Sequence, residues 1–367
     1  MRTIDWVDGA IELLDQRLLP DRVVRRRIHT LVDLVEAIRT LAVRGAPALG
    51  VAGALGVAMA AQRDDLGEIQ AAAEELRRAR PTAANLAVGV DRALAKAAEG
   101  SAAVLAEALA VRDEDLSACL RMGDRGAALV RSLTTVRPVV VMTICNTGGL
   151  AAVERGTALG VAQTLYEQGD LSEVLVLETR PLLQGARLTA WELARMGARH
   201  RVLVDSAGPS VLALGYVDIV LVGADRIAAN GDVANKVGTY ALALGAQRAG
   251  VPFVVVAPET TLDPDTASGA DIVIEDRDGR EVVTLAGRRI CPAGTQALNP
   301  AFDVTPADLV TAVVTEQRVV RLDRGERLGL PPAAQDGLEQ PETDRDRPGL
   351  TGTSGAAGGQ LSRPARR

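Results

Sequence analysis

Short apolar runs that alternate with helix-forming segments restrict the fold of this chain more than any other feature. These runs are rich in Val, Ile and Leu and lack the apolar–polar alternation of a half-exposed strand. Strands of this kind are buried on both faces, as in a parallel sheet with helices on each side. The sequence therefore predicts an α/β protein with strands at Val139–Thr143, Glu173–Glu178, Arg201–Asp205, Ile219–Gly223 and Phe253–Ala257.

The segments between these strands predict the helices that cover the sheet. These helices are expected at Leu150–Gln168, Gly185–Ala198, Ser210–Leu214 and Val237–Ala249. The result is a doubly wound sheet, and ligands of such sheets bind beyond the carboxyl ends of the strands. Four polar side chains stand at or just past such ends: Cys145, Arg180, Asp205 and Asp225.

Residues 1–120 predict a mainly helical N-terminal domain that precedes a sheet domain at 121–330. Helical periodicity and an abundance of Ala, Glu and Arg predict helices at Asp33–Ala42, Leu66–Arg80 and Val90–Ala110.

Both ends of the chain carry further local signals. Asp8-Gly9 lies between two short apolar runs, Thr3–Val7 and Ala10–Leu14, which predicts a β-hairpin. Residues 331–367 are rich in Pro, Gly, Ser and Thr and have little to bury, so they predict a disordered tail.

Composition restricts the partners and the cellular compartment. The net charge is −6 and no basic stripe with interleaved aromatic residues occurs, so nucleic acid is not expected as a ligand. The longest helix-like apolar run, Ala48–Ala61, is shorter than the roughly 20 residues that span a bilayer. Three widely spaced cysteines give no disulfide framework, which favours the cytoplasm.

Cofactor signatures are missing from the sequence. Two histidines are too few for a His-based metal site or a Ser-His-Asp triad to be expected. The chain has neither a G-x-G-x-x-G motif after the first parallel strand nor a Walker sequence. We therefore expect no metal, dinucleotide or nucleotide cofactor.

The stretch GADRIAANGDVANKVGT at 223–239 holds the strongest functional signal. Asp225 follows the apolar run 218–222, and Asn235 and Lys236 stand at the apparent start of a helix. A carboxylate at a strand end, facing a helix N-terminus with a Lys, suits chemistry on a phosphorylated small molecule. Lys96 and Lys236 are the two lysines among 41 Lys and Arg residues. Lys236 is thus either a selected compact ammonium or a solvated surface side chain.

A second signal is the cysteine in VVVMTICNTGG at 139–149. If the segment after Cys145 opens a helix, the helix N-terminus lowers the pKa of the thiol and makes it a candidate nucleophile, acid or base. The alternative is a small buried thiol that merely packs. The permissive turn Asn146–Gly149 favours the functional interpretation.

Other motifs could bind an anion. In RGAPALG, Arg44 and the free N–H groups at a helix start could hold a phosphate, although an ordinary Gly-Pro loop would read the same way. Arg180 and Gln184 flank a strand-to-helix turn, where they could contact hydroxyls or phosphate or be a surface Arg and a capping Gln. Arg80, before Pro81, says little alone.

Together these motifs resemble the methylthioribose-1-phosphate isomerase family, which is related to regulatory subunits of the eukaryotic initiation-factor guanine-nucleotide exchange complex. The resemblance covers about residues 5–320. It is carried by RGAPALGVAGALG, ARPTAANL, CNTGGLA, ETRPLLQGARLTAWEL, GADRIAANGDVANKVGTY and NPAFDVTP.

The resemblance implies a homodimeric, cytosolic enzyme of methionine salvage with a Rossmann-like C-terminal domain. It would convert 5-methylthioribose 1-phosphate to 5-methylthioribulose 1-phosphate with no metal or organic cofactor. Carried over by motif, Cys145 and Asp225 would be the catalytic pair. The implied substrate-binding residues are Arg44, Gly45, Ala46, Arg80, Gln184, Asn235 and Lys236.

Departures from the family pattern leave alternatives open. Ile144 replaces the His that commonly precedes the cysteine, and Leu177 replaces an Asp. After Asp205-Ser206 the chain continues as Ala207-Gly208-Pro209, where small residues such as alanine are more usual. The chain could instead isomerise ribose 1,5-bisphosphate or 5-deoxyribose 1-phosphate, or be a non-catalytic, sugar-phosphate-sensing regulatory protein. A cationic cluster at the C5 end of the substrate would favour the bisphosphate. An apolar wall at the same end would favour the methylthio sugar.

Overall fold

In the computed structural model, which describes residues 1–62, 65–80 and 83–329, the chain begins with a three-stranded antiparallel sheet. Its strands are β1 (Ile4–Val7), β2 (Ala10–Leu14) and β3 (Arg25–Ile28). Asp8 and Gly9 both have positive φ, as the two-residue loop of a right-twisted hairpin requires. The sequence gives no sign of β3, because three consecutive arginines hide its strand pattern.

Five α-helices follow the small sheet. They are α1 (Leu31–Arg39), α2 (Ala46–Ala60), α3 (Leu66–Ala79), α4 (Ala84–Leu94) and α5 (Ser101–Leu133). The predicted helix 90–110 is in fact divided, because the chain turns at Gly100, where φ is +97°. The predicted domain boundary near residue 120 stays a prediction, since α5 runs through that position and residues 1–328 form one compact unit.

Helix α2 is apolar on all sides, so other elements must surround it. It packs against α3, α4 and α5. Glycine makes the closest approach possible: a side chain at Gly89 of α4 would collide with the backbone of Gly50. The Ala- and Gly-rich sequence of α2 therefore encodes tight helix packing.

A seven-stranded sheet forms the second half of the described chain. Its strand order is β16-β15-β10-β7-β4-β5-β6, parallel throughout except for β16 at one edge. The strands are β4 (Val139–Thr143), β5 (Leu171–Leu177), β6 (His200–Leu203), β7 (Ile219–Val222), β10 (Phe253–Val256), β15 (Ala312–Val314) and β16 (Val319–Val320). The predicted α/β class is confirmed.

Helices cover both faces of this sheet. They are α6 (Ala158–Glu167), α7 (Ala190–Met196), α8 (Gly208–Ala213) and α9 (Thr239–Ala249), with α5 packed on α6. The predicted helix 150–168 begins too early, because one 3₁₀ turn and a loop precede the start of α6 at Ala158. The predicted helix 185–198 is helical from its first residue, as a π-helical turn at Gly185–Thr189 that leads into α7.

A second, four-stranded sheet has the order β11-β8-β9-β14. Its strands are β8 (Arg226–Ala228), β9 (Val233–Lys236), β11 (Leu262–Asp263) and β14 (Phe302–Thr305). The prediction that Asn235 and Lys236 start a helix is therefore wrong: both lie on β9, and α9 begins at Thr239. Strand β9 pairs with β14. Local sequence cannot reveal this pairing, because β14 lies more than 60 residues further along the chain than β9.

The segment 272–300, which precedes β14, contains helix α10 (Arg280–Val283) and a hairpin of β12 (Thr284–Leu285) and β13 (Arg288–Arg289). No helix in the described part of the chain combines the length and apolarity needed to cross a membrane. The predicted disordered tail, 331–367, lies outside the described residues.

Candidate active site

The connections of the large sheet reverse direction between β4 and β7. From β4 the chain proceeds outward to β5 and β6, and from β7 it proceeds in the opposite direction to β10 and β15. The carboxyl ends of strands at such a switch point leave a crevice in which α/β proteins bind ligands. Cys145 follows β4 and Asp225 follows β7, so the two predicted catalytic residues stand on either side of this crevice.

Two adjoining hollows fill the crevice. The first has a volume of about 50 Å³ and the second about 60 Å³. Cys145, Asp225, Arg44 and Gly45 line both hollows. The structure thus brings the thiol and the carboxyl group to the junction between the hollows.

The other predicted substrate-binding residues lie around the same two hollows. Ala46 and Asn235 line the first hollow, whereas Arg80, Gln184 and Lys236 line the second. Arg180 lines neither, because its guanidinium donates hydrogen bonds to the carbonyl groups of Pro181 and Val282. A larger cavity of about 270 Å³ lies beyond Pro47 and Pro258, and none of the predicted site residues lines it.

Four cations surround the second hollow: Arg44, Arg80, Lys236 and Arg277. The Lys236 ammonium donates to the carbonyl oxygen of Ala301 at 2.8 Å and lies 4.6 Å from the centre of the Phe302 ring. Burial lowers the pKa of Lys236, and attraction to Cys145 and Asp225 opposes that shift. This concentration of positive charge makes the second hollow suited to an anion.

Arg277 was not predicted from the sequence. It comes from the 272–300 segment, where Glu275 and Glu281 accept hydrogen bonds from its guanidinium. Glu275 also lies 3.6 Å from Arg80. No local pattern marks Arg277 as a site residue, because only tertiary packing brings it to the second hollow.

Asp225 is partly buried, and this loss of water raises the pKa of its carboxyl group. Lys236, Arg80 and Arg44 act in the opposite direction, because positive charge favours the carboxylate. The main-chain N–H of Asp225 donates to Ala234 on β9. Asp225 is therefore a carboxyl group that keeps its proton to higher pH than an aspartic acid in water, as a general acid should.

The backbone around Cys145 is in an uncommon conformation, with φ of +63°. Two threonines hold it there: Thr179 accepts from the main-chain N–H of Cys145 at 2.8 Å, and Thr189 donates to its carbonyl oxygen at 2.6 Å. The expectation that Cys145 stands at an α-helix N-terminus is wrong, because α6 begins only at Ala158. The thiol is positioned by side chains from the next βα connection instead.

Arg44 is fixed by the residue next to the cysteine. Its guanidinium donates to the side-chain oxygen of Asn146 at 2.7 Å and to the main-chain oxygen of Asn146 at 2.8 Å. Gly45 follows with φ of +92° as the N-cap of α2, and a side chain there would collide with Ala151. Only glycine lets the chain carry Arg44 into the crevice and begin α2 at Ala46.

Two amide side chains of the site are buried. The Gln184 side-chain oxygen has no hydrogen-bond partner among the described residues, which leaves it available to a ligand hydroxyl in the second hollow. The Asn235 amide donates to Thr239 at the start of α9. These contacts fit groups that fix the orientation of a polyhydroxylated ligand.

Small and apolar groups dominate the wall of the first hollow. Apart from the predicted residues, its wall contains Pro47, Asn146, Thr147, Ala151, Ala152, Gly156, Thr157, Gly223, Ala224 and Pro258. Arg44 is the one cation among the residues that line it. In the described residues, no group of three or more His, Cys, Asp or Glu side chains is placed to hold a metal ion.

Comparison with protein families matches residues 42–321 to the initiation factor 2 subunit family. The chain belongs to this family. Because the match extends from the segment before Arg44 to β16, it includes both halves of the crevice.

Several relatives of known name resemble the chain over most of its length. It is 54% identical to a probable bifunctional methylthioribose-1-phosphate isomerase/methylthioribulose-1-phosphate dehydratase of Nocardia farcinica, over 87% of this chain but only 60% of the relative. It is 53% identical to a methylthioribose-1-phosphate isomerase of Anaeromyxobacter, over 86% of this chain and 92% of the relative. It is also 46% identical to a 5-deoxyribose 1-phosphate isomerase of Moorella thermoacetica, over 87% of this chain and 93% of the relative.

A solved structure also resembles the chain over most of its length. The crystal structure of 5-methylthioribose 1-phosphate isomerase from Pyrococcus horikoshii matches with a TM-score of 0.81 and 38% identity, over 87% of this chain and 92% of the other.

Proposed function

We propose that this protein isomerises 5-methylthioribose 1-phosphate to 5-methylthioribulose 1-phosphate, a step of methionine salvage. The observation that carries the proposal is the junction of the two hollows, where Cys145 and Asp225 meet between a cationic region and a small apolar one. The reacting carbons, C1 and C2, are adjacent to the phosphate, and the methylthio group is at the far end of the sugar. The relatives named as isomerases of this substrate support the same conclusion.

In this proposal the substrate phosphate binds in the second hollow. Arg80, Lys236 and Arg277 surround it there, and Arg44 reaches it from the junction. The side-chain amides of Gln184 and Asn235 then form hydrogen bonds with the sugar hydroxyls, as acceptors through their oxygens and as donors through their nitrogens. This orientation puts C1 and C2 beside Cys145 and Asp225 and directs C5 into the first hollow.

The reaction must open a sugar ring whose anomeric oxygen stays esterified. Asp225, as the neutral acid, donates its proton to the ring oxygen while the bond from C1 to that oxygen breaks. Two routes can follow. Either a base removes the proton from C2 and a proton is returned to C1 as the C2 hydroxyl loses its own, or hydrogen moves from C2 to C1 with its electron pair while the C2 hydroxyl loses its proton. Cys145 transfers a proton in the first route and shapes an apolar pocket in the second.

Substrate preference follows from the first hollow, whose wall carries mainly Ala, Gly, Pro and Thr side chains. A 5-phosphate there would lose its hydration with little compensation, whereas a methylthio group would be stabilised by burial. We expect kcat/KM to be highest for 5-methylthioribose 1-phosphate. Values for 5-deoxyribose 1-phosphate should be lower by about 10-fold or more, and those for ribose 1,5-bisphosphate lower still.

Purified protein and the three sugar phosphates provide the test, with product ketose as the readout. If 5-deoxyribose 1-phosphate is the preferred substrate, the protein has the activity for which the Moorella relative is named. Binding of all three without turnover would instead show a regulatory, sugar-phosphate-sensing protein. Turnover limited to ribose 1,5-bisphosphate would contradict the placement of C5 in the first hollow.

We also propose that the enzyme is a cytoplasmic homodimer. Exposed apolar side chains cluster beside edge strand β6, where Val202, Val204 and Tyr216 are 43%, 57% and 55% exposed. An electrostatic interaction between Arg201 on β6 and Tyr216 brings Tyr216 near this edge strand. Light scattering should give the mass of two chains, and Val204→Asp with Tyr216→Asp should shift that mass towards one chain.

A further inference from the structure

A partly buried carboxylate stands next to the predicted site residues. Glu192 of α7 accepts a hydrogen bond from the side-chain amide of Asn146 at 2.7 Å, and the main-chain N–H of Leu150 points to the same oxygen at 3.4 Å. Burial raises the pKa of Glu192, and the hydrogen bond from Asn146 opposes that shift. Glu192 lines neither hollow, so it does not touch the sugar itself.

Asn146 connects Glu192 to the chemistry. Its amide nitrogen donates to Glu192, while its side-chain and main-chain oxygens both accept from Arg44. Because the side-chain amide is held at its nitrogen end, its oxygen is aimed at the Arg44 guanidinium. Asn146 is also covalently joined to Cys145, whose positive φ must be stabilised by surrounding contacts.

The neighbouring glycine supports the same geometry. A side chain at Gly148 would lie about 2.5 Å from both carboxylate oxygens of Glu192. Only a glycine at this position lets the loop approach the carboxylate so closely. Thr189, three residues before Glu192, donates to the carbonyl oxygen of Cys145. The π-helical turn and the start of α7 thus hold both sides of the cysteine loop.

We propose that Glu192 is a positioning residue that fixes Arg44 and Cys145 through Asn146. The inference rests on the proposed function, because it assigns Glu192 a task in binding the same sugar phosphate. Arg44 supplies charge to the anion, and Cys145 borders the reacting carbons. A loop that relaxes by about 1 Å would weaken both contacts, and displacements of this size can cost about 10²-fold in rate.

Three substitutions at this position separate its chemistry from its packing. Glu192→Ala removes the nearer of the two acceptors of the Asn146 amide, which are Glu192 at 2.7 Å and the Thr189 hydroxyl at 3.2 Å. We expect kcat/KM to fall by about 10²-fold, because displacement of Arg44 raises KM and displacement of Cys145 lowers kcat. Glu192→Gln keeps an oxygen for the Asn146 amide and should stay within about threefold of wild type. Glu192→Asp withdraws the carboxylate and should give an intermediate loss, which keeps the test valid if the Ala variant does not fold.

A second readout is independent of turnover. The alkylation rate of Cys145 by iodoacetamide is measured in a Cys291→Ser background, since Cys119 is fully buried. We expect that rate to change by about fivefold or more in Glu192→Ala and to stay unchanged in Glu192→Gln, because thiol reactivity depends on local environment. If wild type turns over none of the sugar phosphates, the proposed function fails, yet the alkylation rates still report on Glu192.

The matched control is Glu173, a carboxylate that is buried at 5% exposure. It pairs with Arg201 on β6, and it lines neither hollow. Glu173→Gln should leave kcat, KM and the alkylation rate of Cys145 unchanged, even if it lowers the melting temperature. The inference is overturned if folded Glu192→Ala or Glu192→Asp keeps all three quantities within twofold of wild type, or if Glu192→Gln is as impaired as Glu192→Ala.

Discussion

Replacing Asp225 with Asn should lower kcat by about 10²–10⁴-fold, the usual contribution of a positioned general acid or base. The substitution preserves the size of the side chain but removes the proton that opens the sugar ring. KM should change far less, because Arg80, Lys236 and Arg277 still surround the second hollow. Steady-state kinetics with 5-methylthioribose 1-phosphate measures both quantities.

The pH dependence follows from the direction of the Asp225 pKa shift. Because burial raises that pKa, the carboxyl group stays protonated to higher pH, and kcat should fall only as pH rises through the raised value. This alkaline limb should be absent from the residual activity of Asp225→Asn. Because the pKa of Asp225 is higher in the folded protein than in the unfolded chain, its contribution to the free energy of unfolding is present at low pH and is lost as pH rises. The stability of Asp225→Asn relative to wild type should therefore increase at alkaline pH.

Asp263→Asn is the control for Asp225→Asn. Asp263 lies on β11 of the four-stranded sheet, where it pairs with Arg226, the residue that follows Asp225, and it lines neither hollow. Its replacement should leave kcat and its pH profile unchanged. Near-normal turnover of folded Asp225→Asn would contradict the assignment of Asp225 as the acid.

The central strands were predictable because burial on both faces leaves a continuous apolar pattern. Each of the five predicted strands is present, with ends displaced by two residues or fewer. The position of Cys145 and Asp225 at the strand ends follows directly from that pattern. The strand order does not, because pairing of β4 with β7 joins segments that are far apart in sequence.

Elements that depend on distant partners could not be predicted. Lys236 belongs to a strand because β14 pairs with it, although the local sequence before α9 looks like a helix start. Arg277 reaches the second hollow from a segment without any recognisable pattern. Asn146 did carry a signal, since an amide beside a cysteine at a strand end is well placed to hold a neighbouring loop.

Cys145 is expected to be as important as Asp225. Both Cys145→Ala and Cys145→Ser should lower kcat by about 10²-fold or more, because neither side chain can replace the sulfur group in proton transfer. Lys236 lines the second hollow together with Cys145, so an ammonium group stands in the same cavity as the sulfur. Cys291→Ser is the matched control and should be fully active, since Cys291 lines neither hollow.

Isotope incorporation distinguishes the two routes for the hydrogen. If Cys145 removes the C2 proton, that proton exchanges with solvent, so wild type in deuterium oxide should place deuterium at C1 of the product. Mass spectrometry and NMR of the ketose phosphate measure this incorporation. A product without deuterium, together with near-normal turnover by Cys145→Ser, would contradict proton transfer by the thiol. Hydrogen would then move from C2 to C1 with its electron pair, and the small apolar wall of the first hollow would serve to exclude water from that transfer.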